Sequence, residues 1–289
     1  MESKLVFESE IISLIQDKQE LKSLDKSYIK KILLSNLSDS MIKKLNSYSS
    51  FKQCKRGKVC GELISLTRKI LRDRYGVFIR TPLSNYKKKL LSLSSFDDDY
   101  VDSILSFHQS TFERLPYYSS FYPLLFKELF SLGLSEKFSL GDFACGYNPL
   151  AYKYLPVKPT NYFACDISSD EMSLINSFFV NQKISAEARS FDLLSDDFSN
   201  FISNQKFDVV FLLKALDSLE IVKKHSSKKL LDAINTHFFV VSFPLVSIGG
   251  KNSIDSTKRS WFEKFCEKQS WSYSTLSVPN ELFYVVKKE

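Results

Sequence analysis

The apolar positions in the first third of the chain follow a helical period. Between positions 8 and 93 apolar residues recur three or four residues apart, as in the stretches 11–15, 29–33 and 63–71. Polar clusters such as SNLSDS at 35–40 separate these stretches and are typical of connections between helices. The pattern predicts a small bundle of helices.

The pattern changes after the acidic segment 94–103, SSFDDDYVDS, which we interpret as a hinge-like break. Beyond it, short continuous apolar runs are separated by intervals long enough for a helix. Such runs favour strands buried on both faces of a parallel sheet. The runs are 138–145, 161–167, 184–194, 206–216 and 237–244.

The end of the chain alternates apolar and polar residues on both sides of Val278-Pro279-Asn280-Glu281, which predicts an antiparallel hairpin. Five parallel strands closed by such a hairpin form the layout of the Rossmann-like class I methyltransferases. We therefore expect an α/β fold with a seven-stranded sheet. The predicted domains are a basic helical domain over 1–103 and a Rossmann-like methyltransferase domain over 104–289.

Charge is distributed unevenly along the chain. Positions 1–95 hold 20 Lys and Arg against 9 Asp and Glu, a balance of +11, so the rest of the +7 chain sums to −4. A basic segment of this kind favours a phosphate-rich partner such as RNA. Solvated lysines on ordinary helices are the alternative. The candidate phosphate contacts are Lys55, Arg56, Arg68 and Arg72.

Cysteine usage and the amino terminus indicate the compartment. The five cysteines form no CxxC pair and no Cys/His cluster, which favours reduced thiols and no metal site. The start, MESKLVFESE, has acidic residues where a signal peptide has basic ones, and no apolar run approaches bilayer length. We expect a cytoplasmic monomer.

The first predicted strand leads into a turn with the features of a cofactor site. Asp142 lies in the strand, Ala144 and Gly146 form the turn, and Asn148 is placed to cap the helix that follows. Glycine lets the backbone approach a ligand closely, and open α/β sheets bind cofactors at this edge. An ordinary tight turn is the alternative.

Acidic residues follow the next two strands. Asp166, followed by Ile167, ends the second strand, where a carboxylate can accept both ribose hydroxyls of a nucleoside. Asp192 and the backbone of Leu193 follow the third strand, where an adenine would lie. A surface aspartate at a helix start would explain Asp166 alone, but the combination on successive strand ends predicts a nucleoside site.

Arg114 is a candidate for the carboxylate of S-adenosylmethionine. The box Ser110-x-x-Glu113 predicts a helix that starts at Ser110, and Pro123 predicts the first turn of a second helix. Arg114 would then lie at a corner, where its guanidinium can bind a carboxylate through two hydrogen bonds. A structural pair with Glu113 or Asp142 is the alternative. Lys214, after the fourth strand, is a further candidate for the cofactor wall.

Several motifs together resemble one known family. HQSTFERLPYY, DFACGYNPLA, YFACDI, FDLL, VVFLLKALDSLE and VVSFPLVSIGGK are similar to the aminoglycoside-resistance ribosomal RNA methyltransferases of the Arm/Rmt and actinomycete self-resistance group. The resemblance is dense over 105–265 and architectural over the helical front. It implies methylation of guanine N7 in small-subunit ribosomal RNA, with S-adenosylmethionine as donor and the helical domain docking on the assembled subunit.

The resemblance also implies roles for individual residues. Arg114 would bind the donor carboxylate, Asp166 the ribose, and Asp192 with Leu193 the adenine. The residues expected on the target-base side are Phe243, Pro244, Ser247, Gly249, Gly250 and Lys251. Two positions depart from the family pattern: Ala144 replaces the usual first glycine, and Leu245-Val246 stand where a basic residue is common.

The residues after the fourth strand narrow the chemistry. Leu213-Lys214-Ala215-Leu216 is not the Asp/Asn-Pro-Pro-aromatic tetrad of amino methylases, and no cysteine follows the fourth or fifth strand for carbon-5 methylation. Guanine N7 needs no general base, so we expect none. A non-catalytic RNA- or ribosome-binding protein with this fold, or a methyltransferase for another RNA or a small molecule, remains the alternative.

Overall fold

The computed structural model describes residues 5–86, 97–246 and 259–288. The chain forms two compact units, Met1–Leu91 and Ser92–Glu289. This division lies earlier in the chain than the boundary after residue 103 that we expected. Within the described residues no helix has the length and apolar character needed to cross a membrane.

The first unit is helical, as the periodicity predicted. Its core consists of the apolar positions of the repeating pattern, including the fully buried Ile11, Ile15, Ile29, Leu33 and Leu63. The helices are α1 (Glu8–Gln16), α2 (Lys26–Ser35), α3 (Asp39–Asn46), α4 (Phe51–Arg56) and α5 (Lys58–Arg74), with 3₁₀ turns at Gln19–Leu21, Gly76–Phe78 and Leu83–Asn85.

The interpretation of 94–103 as a hinge-like break is wrong for its described part, which begins helix α6 (Asp98–Leu105). The Asp97 side chain accepts a hydrogen bond from the backbone N–H of Tyr100 at 2.8 Å and caps this helix. Asp98 and Asp99 lie in its first turn, where negative charge interacts favourably with the helix dipole. The acidic run is therefore a helix start.

Two predicted helix details around Arg114 are also wrong. Helix α7 spans Gln109–Arg114 with His108 at the N-cap, so it starts before Ser110. No capping box forms, because the Glu113 carboxylate accepts hydrogen bonds from Gln109 and Lys214 instead. Helix α8 spans Tyr118–Ser131, which places Pro123 inside the helix and not in its first turn.

The second unit contains the predicted sheet. The strands are β1 (Ser139–Phe143), β2 (Asn161–Asp166), β3 (Ala186–Ser190), β4 (Phe207–Leu213), β5 (Thr236–Pro244), β6 (Ser272–Val278) and β7 (Glu281–Lys287). Their order is β3-β2-β1-β4-β5-β7-β6, with parallel pairing from β3 to β5 and antiparallel pairing for β7 and β6. The Rossmann-like fold with a terminal hairpin is confirmed.

Burial differs between the strands. β4 and β5 are almost entirely buried, whereas β3 is an edge strand in which Ala188 alone is buried. The expectation of burial on both faces is therefore wrong for β3. The remaining helices are a 3₁₀ helix (Asn148–Tyr154), α9 (Ser169–Asn181), α10 (Asp196–Ile202), α11 (Leu216–Val222), α12 (Ser226–Ala233) and α13 (Ser260–Lys268).

Candidate functional site

The turn after β1 has a left-handed backbone at two positions. Ala144 has φ +52° and Gly146 has φ +49°. A Cβ atom on Gly146 would lie 2.7 Å from two ring atoms of the buried His108, which is closer than side-chain atoms approach one another. Glycine is therefore required at 146 both by the conformation and by the space, and Ala144 adopts the same region at a steric cost of about 1–2 kcal/mol.

Asp166 connects this turn to the end of β2. Its carboxylate accepts hydrogen bonds from the backbone N–H of Gly146 at 2.8 Å and of Ile167 at 2.6 Å. Burial raises the pKa of this carboxyl, and among the described residues no cation pairs with it. Each oxygen keeps a further lone pair, so a half-buried acceptor faces the turn. Asp166 ends β2 as the sequence predicted, and its use for a ribose stays a prediction.

Asp192 and Leu193 lie beyond the end of β3. The Asp192 carboxylate accepts a hydrogen bond from the backbone N–H of Leu194 at 3.0 Å, and its backbone carbonyl accepts one from Ser195. Leu193 is buried among the core residues of the second unit. These bonds fix a tight turn at the edge of the sheet where β1 and β2 also end.

Arg114 lies in the interior of the second unit. Its Nε donates to Oε2 of Glu281 at 2.9 Å, and its Nη1 donates to Oδ1 of Asn148 at 3.2 Å. Its side chain is 3% exposed, so the guanidinium lies in the interior. The structural partners considered from the sequence, Glu113 and Asp142, are not its partners. Nε and Nη1 are thus each held by a buried acceptor.

Asn148 is the centre of a buried polar cluster and not a helix cap. Its Oδ1 also accepts from the hydroxyls of Tyr118 at 3.1 Å and Tyr122 at 2.9 Å, while its Nδ2 donates to Asp142 at 2.8 Å. Asp142 accepts a further bond from Tyr162 at 2.7 Å. Burial raises the pKa of Asp142 to about 6. Both residues are inaccessible, so in this structure they support the site from behind.

Lys214 follows β4 in a left-handed conformation, with φ +58°. Its backbone N–H donates to the Ser242 hydroxyl at 2.9 Å. Its ammonium bonds the Glu113 carboxylate and lies 3.4 Å from Oε2 of Glu281. A non-glycine residue in this region costs about 1–3 kcal/mol, and such positions cluster at functional sites.

His108 lies against Gly146 and close to the charges of Arg114 and Lys214. Burial, with smaller contributions from the positive charges of Arg114 and Lys214, lowers its pKa to about 3. The imidazole is therefore neutral at pH 7. Its ring centroid lies 5.4 Å from that of Tyr147. His108 packs against the turn from below.

The first of the residues that were predicted to face the target base is buried. Phe243 is fully buried, and the Arg259 guanidinium lies 4.5 Å above its ring centroid. Arg259 also bonds the Asp217 carboxylate and the Pro244 carbonyl, the latter at 2.9 Å. Pro244 is half-buried. Ser247, Gly249, Gly250 and Lys251 lie outside the described residues.

The basic candidates of the first unit lie on two helices. Lys55, Arg68 and Arg72, with Lys18, line a groove of about 640 Å³ between α1, α4 and α5. Arg72 pairs with Glu20 at 2.7 Å, and an Arg68 Nη atom bonds the Leu14 carbonyl. Arg56 is exposed at the end of α4 and is not among the residues that line the groove.

Sequence analysis missed three residues that shape the site: Glu281, Ser242 and Arg259. Glu281 is 1% exposed and Arg259 is 4% exposed, so both are buried charges. The one sequence signal for Glu281 is an acidic residue at the start of an otherwise apolar strand. Ser242, within the apolar run VVSFP, gives a similar signal.

Comparisons with known proteins identify the family of the chain. Residues 97–285 match the family model described as ribosomal RNA methyltransferase (FmrO). A 16S rRNA (guanine(1405)-N(7))-methyltransferase of Micromonospora echinospora is 30% identical over 238 residues, 78% of this chain and 83% of that protein. A protein of the same name from Serratia marcescens is 27% identical over 230 residues, 78% of this chain and 84% of that protein.

A solved structure of the 16S rRNA methyltransferase RmtF in complex with S-adenosyl-L-homocysteine is similar in fold. It is 22% identical, with a TM-score of 0.73, and the match covers 98% of this chain and 99% of that one. The fold therefore extends over both units of the chain.

Proposed function

The chain belongs to the ribosomal RNA methyltransferase (FmrO) family, and we propose that it methylates N7 of a guanine in the RNA of the assembled small ribosomal subunit. One observation supports this most strongly. Arg114 and Asp166 bond the same segment after β1, through Asn148 and Gly146 respectively, in a chain 30% identical to a 16S rRNA guanine-N7 methyltransferase.

The donor that we propose is S-adenosylmethionine, which supplies an electrophilic methyl group when bound. The residues present fit it. Asp166 offers a carboxylate without a cation partner among the described residues, which suits two ribose hydroxyls. Gly146 has no side chain, and a Cβ at this position would collide with His108. The turn can therefore stay compact beside the Asp166 carboxylate. Arg114 is oriented through Nε and Nη1, and its other N–H groups would bind the amino-acid carboxylate.

The target atom needs little from the protein beyond alignment. Guanine N7 has a free lone pair at neutral pH, so no side chain has to remove a proton. His108 is neutral at pH 7 but buried beneath the turn, which excludes it as a base in this conformation. Catalysis would then rest on holding the flipped base in line with the methyl group.

The first unit supports an RNA partner over a small molecule. Positions 1–95 hold 20 basic against 9 acidic residues, a balance of +11. Four of the basic residues line one groove: Lys18, Lys55, Arg68 and Arg72. Phosphates bind such surfaces with release of counterions. We propose that Arg56 and this groove contact ribosomal RNA in the subunit, and that Pro244, Ser247, Gly249, Gly250 and Lys251 face the target base.

The biological setting follows from the same proposal. We propose that the protein acts in the cytoplasm as a monomer and protects its host from aminoglycosides, as the resemblance to the resistance enzymes implies. Expression in a drug-sensitive bacterium, with growth measured on aminoglycosides, tests the resistance role. Unchanged sensitivity despite methylated ribosomes would indicate a housekeeping modification.

The decisive experiment for the activity uses small subunits and naked 16S RNA, each incubated with the protein and a methyl-labelled donor. We expect label in the subunits, released by strand scission after borohydride and aniline treatment, which is specific for N7-methylguanine. Its position is compared with guanine 1405, the nucleotide in the names of the relatives. Label in naked RNA but not in subunits would contradict docking on the assembled particle. A protein that binds the donor but transfers nothing would favour the non-catalytic alternative.

A further inference from the structure

Glu281 is a buried carboxylate for which the proposed reaction has no direct use. It is the first residue of β7 and is 1% exposed. It lies opposite Pro244 at the end of β5, in the antiparallel pair that closes the sheet. A charge at such a depth is costly unless hydrogen bonds and opposite charges compensate it. Its contacts are therefore informative.

Those contacts connect three separate elements to the hairpin. Oε2 accepts from Nε of Arg114 at 2.9 Å and lies 3.4 Å from Nζ of Lys214. Oε1 accepts from the hydroxyl of Ser242 on β5. The same hydroxyl accepts from the backbone N–H of Lys214, at 2.9 Å. The Glu281 carboxylate thus holds the Arg114 guanidinium and the Lys214 ammonium directly. Through Ser242 it also supports the left-handed backbone of Lys214.

Four charged side chains lie together around Glu281. Two cations, Arg114 and Lys214, lie with two carboxylates, Glu281 and Glu113, in ion pairs whose side chains are at most 17% exposed. Removing the Glu281 charge leaves two cations against one carboxylate. Lys214 then keeps Glu113 as its ion-pair partner, while Arg114 loses its carboxylate partner and keeps only Asn148.

We propose that Glu281 is a positioning residue for the donor: it orients Arg114 so that one guanidinium edge faces the donor carboxylate, and it holds Lys214 away from that carboxylate. This inference rests on the proposed use of S-adenosylmethionine. Nε is bound by Glu281 and Nη1 by Asn148, so the rotation of the guanidinium is determined. The N–H groups that these two bonds leave are then the ones that would face the donor carboxylate.

The role predicts selective loss of affinity for one end of the donor. Glu281→Gln keeps the shape and an acceptor for Nε of Arg114 but removes the charge that holds Lys214. We expect S-adenosylhomocysteine, titrated by calorimetry, to bind at least about 10-fold more weakly, since one hydrogen bond to a charged group is worth about tenfold in affinity or more. 5′-Methylthioadenosine lacks the amino-acid group, and its affinity should stay within about twofold of that of the unchanged protein.

The matched control is Glu263→Gln, on α13. The Glu263 carboxylate also contacts β7, through the Tyr284 hydroxyl at 2.7 Å, but touches neither cation. It should leave the affinities for both ligands unchanged. Equal losses for both ligands in Glu281→Gln would indicate general damage and overturn the proposal, as would unchanged binding of S-adenosylhomocysteine. If the unchanged protein bound neither ligand, the proposed function itself would fail.

Two further variants keep the test decisive if Glu281→Gln does not fold. Ser242→Ala removes the hydroxyl that Oε1 contacts without altering charge, and should weaken S-adenosylhomocysteine alone by about threefold. Arg114→Lys replaces the planar guanidinium by a compact ammonium and so removes the orientation that Glu281 and Asn148 impose. In that background Ser242→Ala should have no further effect on affinity, because contacts that act through one residue are not additive. Full additivity would contradict a role through Arg114.

Discussion

Replacement of Gly146 by alanine tests the packing of the turn after β1. The new Cβ atom would lie 2.7 Å from Cε1 and Nε2 of His108 and 3.2 Å from its Nδ1. The imidazole is buried against Tyr147 and has little room to retreat. An alanine at φ +49° adds backbone strain.

The expected loss is the sum of these two effects. Left-handed alanine costs about 1–2 kcal/mol, and forcing an atom into a packed interior costs about 1–3 kcal/mol. A total of roughly 2–5 kcal/mol corresponds to a fall in Tm of about 4–20 °C for a unit of this size. Differential scanning calorimetry on Gly146→Ala measures it.

A double-mutant cycle separates collision from strain. His108→Ala makes room for the new methyl group, so the combined variant should be more stable than the sum of the single effects by about 1 kcal/mol or more. Gly133→Ala is the control, since Gly133 also has a positive φ, of +108°. A Cβ at Gly133 would have no neighbouring atom of the described residues within 4 Å. With Gly133→Ala the cycle should be additive. Additivity at Gly146 as well would refute the argument from the collision.

Three further predictions follow from the same contacts. Ala144→Gly should raise Tm by a few degrees, because glycine relieves a strain of about 1–2 kcal/mol at the cost of a somewhat more flexible unfolded chain; a lower Tm would mean that the methyl group packs usefully. Because the pKa of His108 falls from 6.5 to about 3 on folding, the unfolded chain binds the extra proton and stability is lost as pH falls below 6.5. Urea unfolding at pH 7 and pH 5 should show that His108→Gln avoids about 2 kcal/mol of that loss, and equal losses would contradict a neutral buried imidazole. The double variant Arg68→Glu, Arg72→Glu should weaken binding to small subunits and lower the slope of log K against log salt by about 1 per lost phosphate contact. Its affinity for S-adenosylhomocysteine should be unchanged. An unaltered salt slope would mean that the groove does not contact the RNA.

The sequence predicted those parts of the fold that depend on the local spacing of apolar residues. The strand runs, the hairpin at Val278–Glu281 and the helical front each follow from the spacing of apolar residues. Asp166 could be predicted because an acid at the end of a buried strand has one place to lie, the edge of the sheet.

The errors arose where tertiary contacts competed with local signals. Glu113 has the spacing of a capping box, but its carboxylate pairs with Lys214, 101 residues away. Asn148 has the position of a helix cap, but its amide bonds Arg114 and Asp142. Arg114 and Glu281 are 167 residues apart. No local pattern specifies which buried polar groups meet across such distances.

The central claim is that Arg114 and Asp166 bind opposite ends of one nucleoside donor at the carboxyl edge of the sheet. A crystal structure with S-adenosylhomocysteine tests it most directly. We predict the ligand carboxylate within hydrogen-bond distance of the Arg114 guanidinium and both ribose hydroxyls at the Asp166 carboxylate. A bound ligand that touches neither side chain, or that touches them with its ends exchanged, would contradict the account.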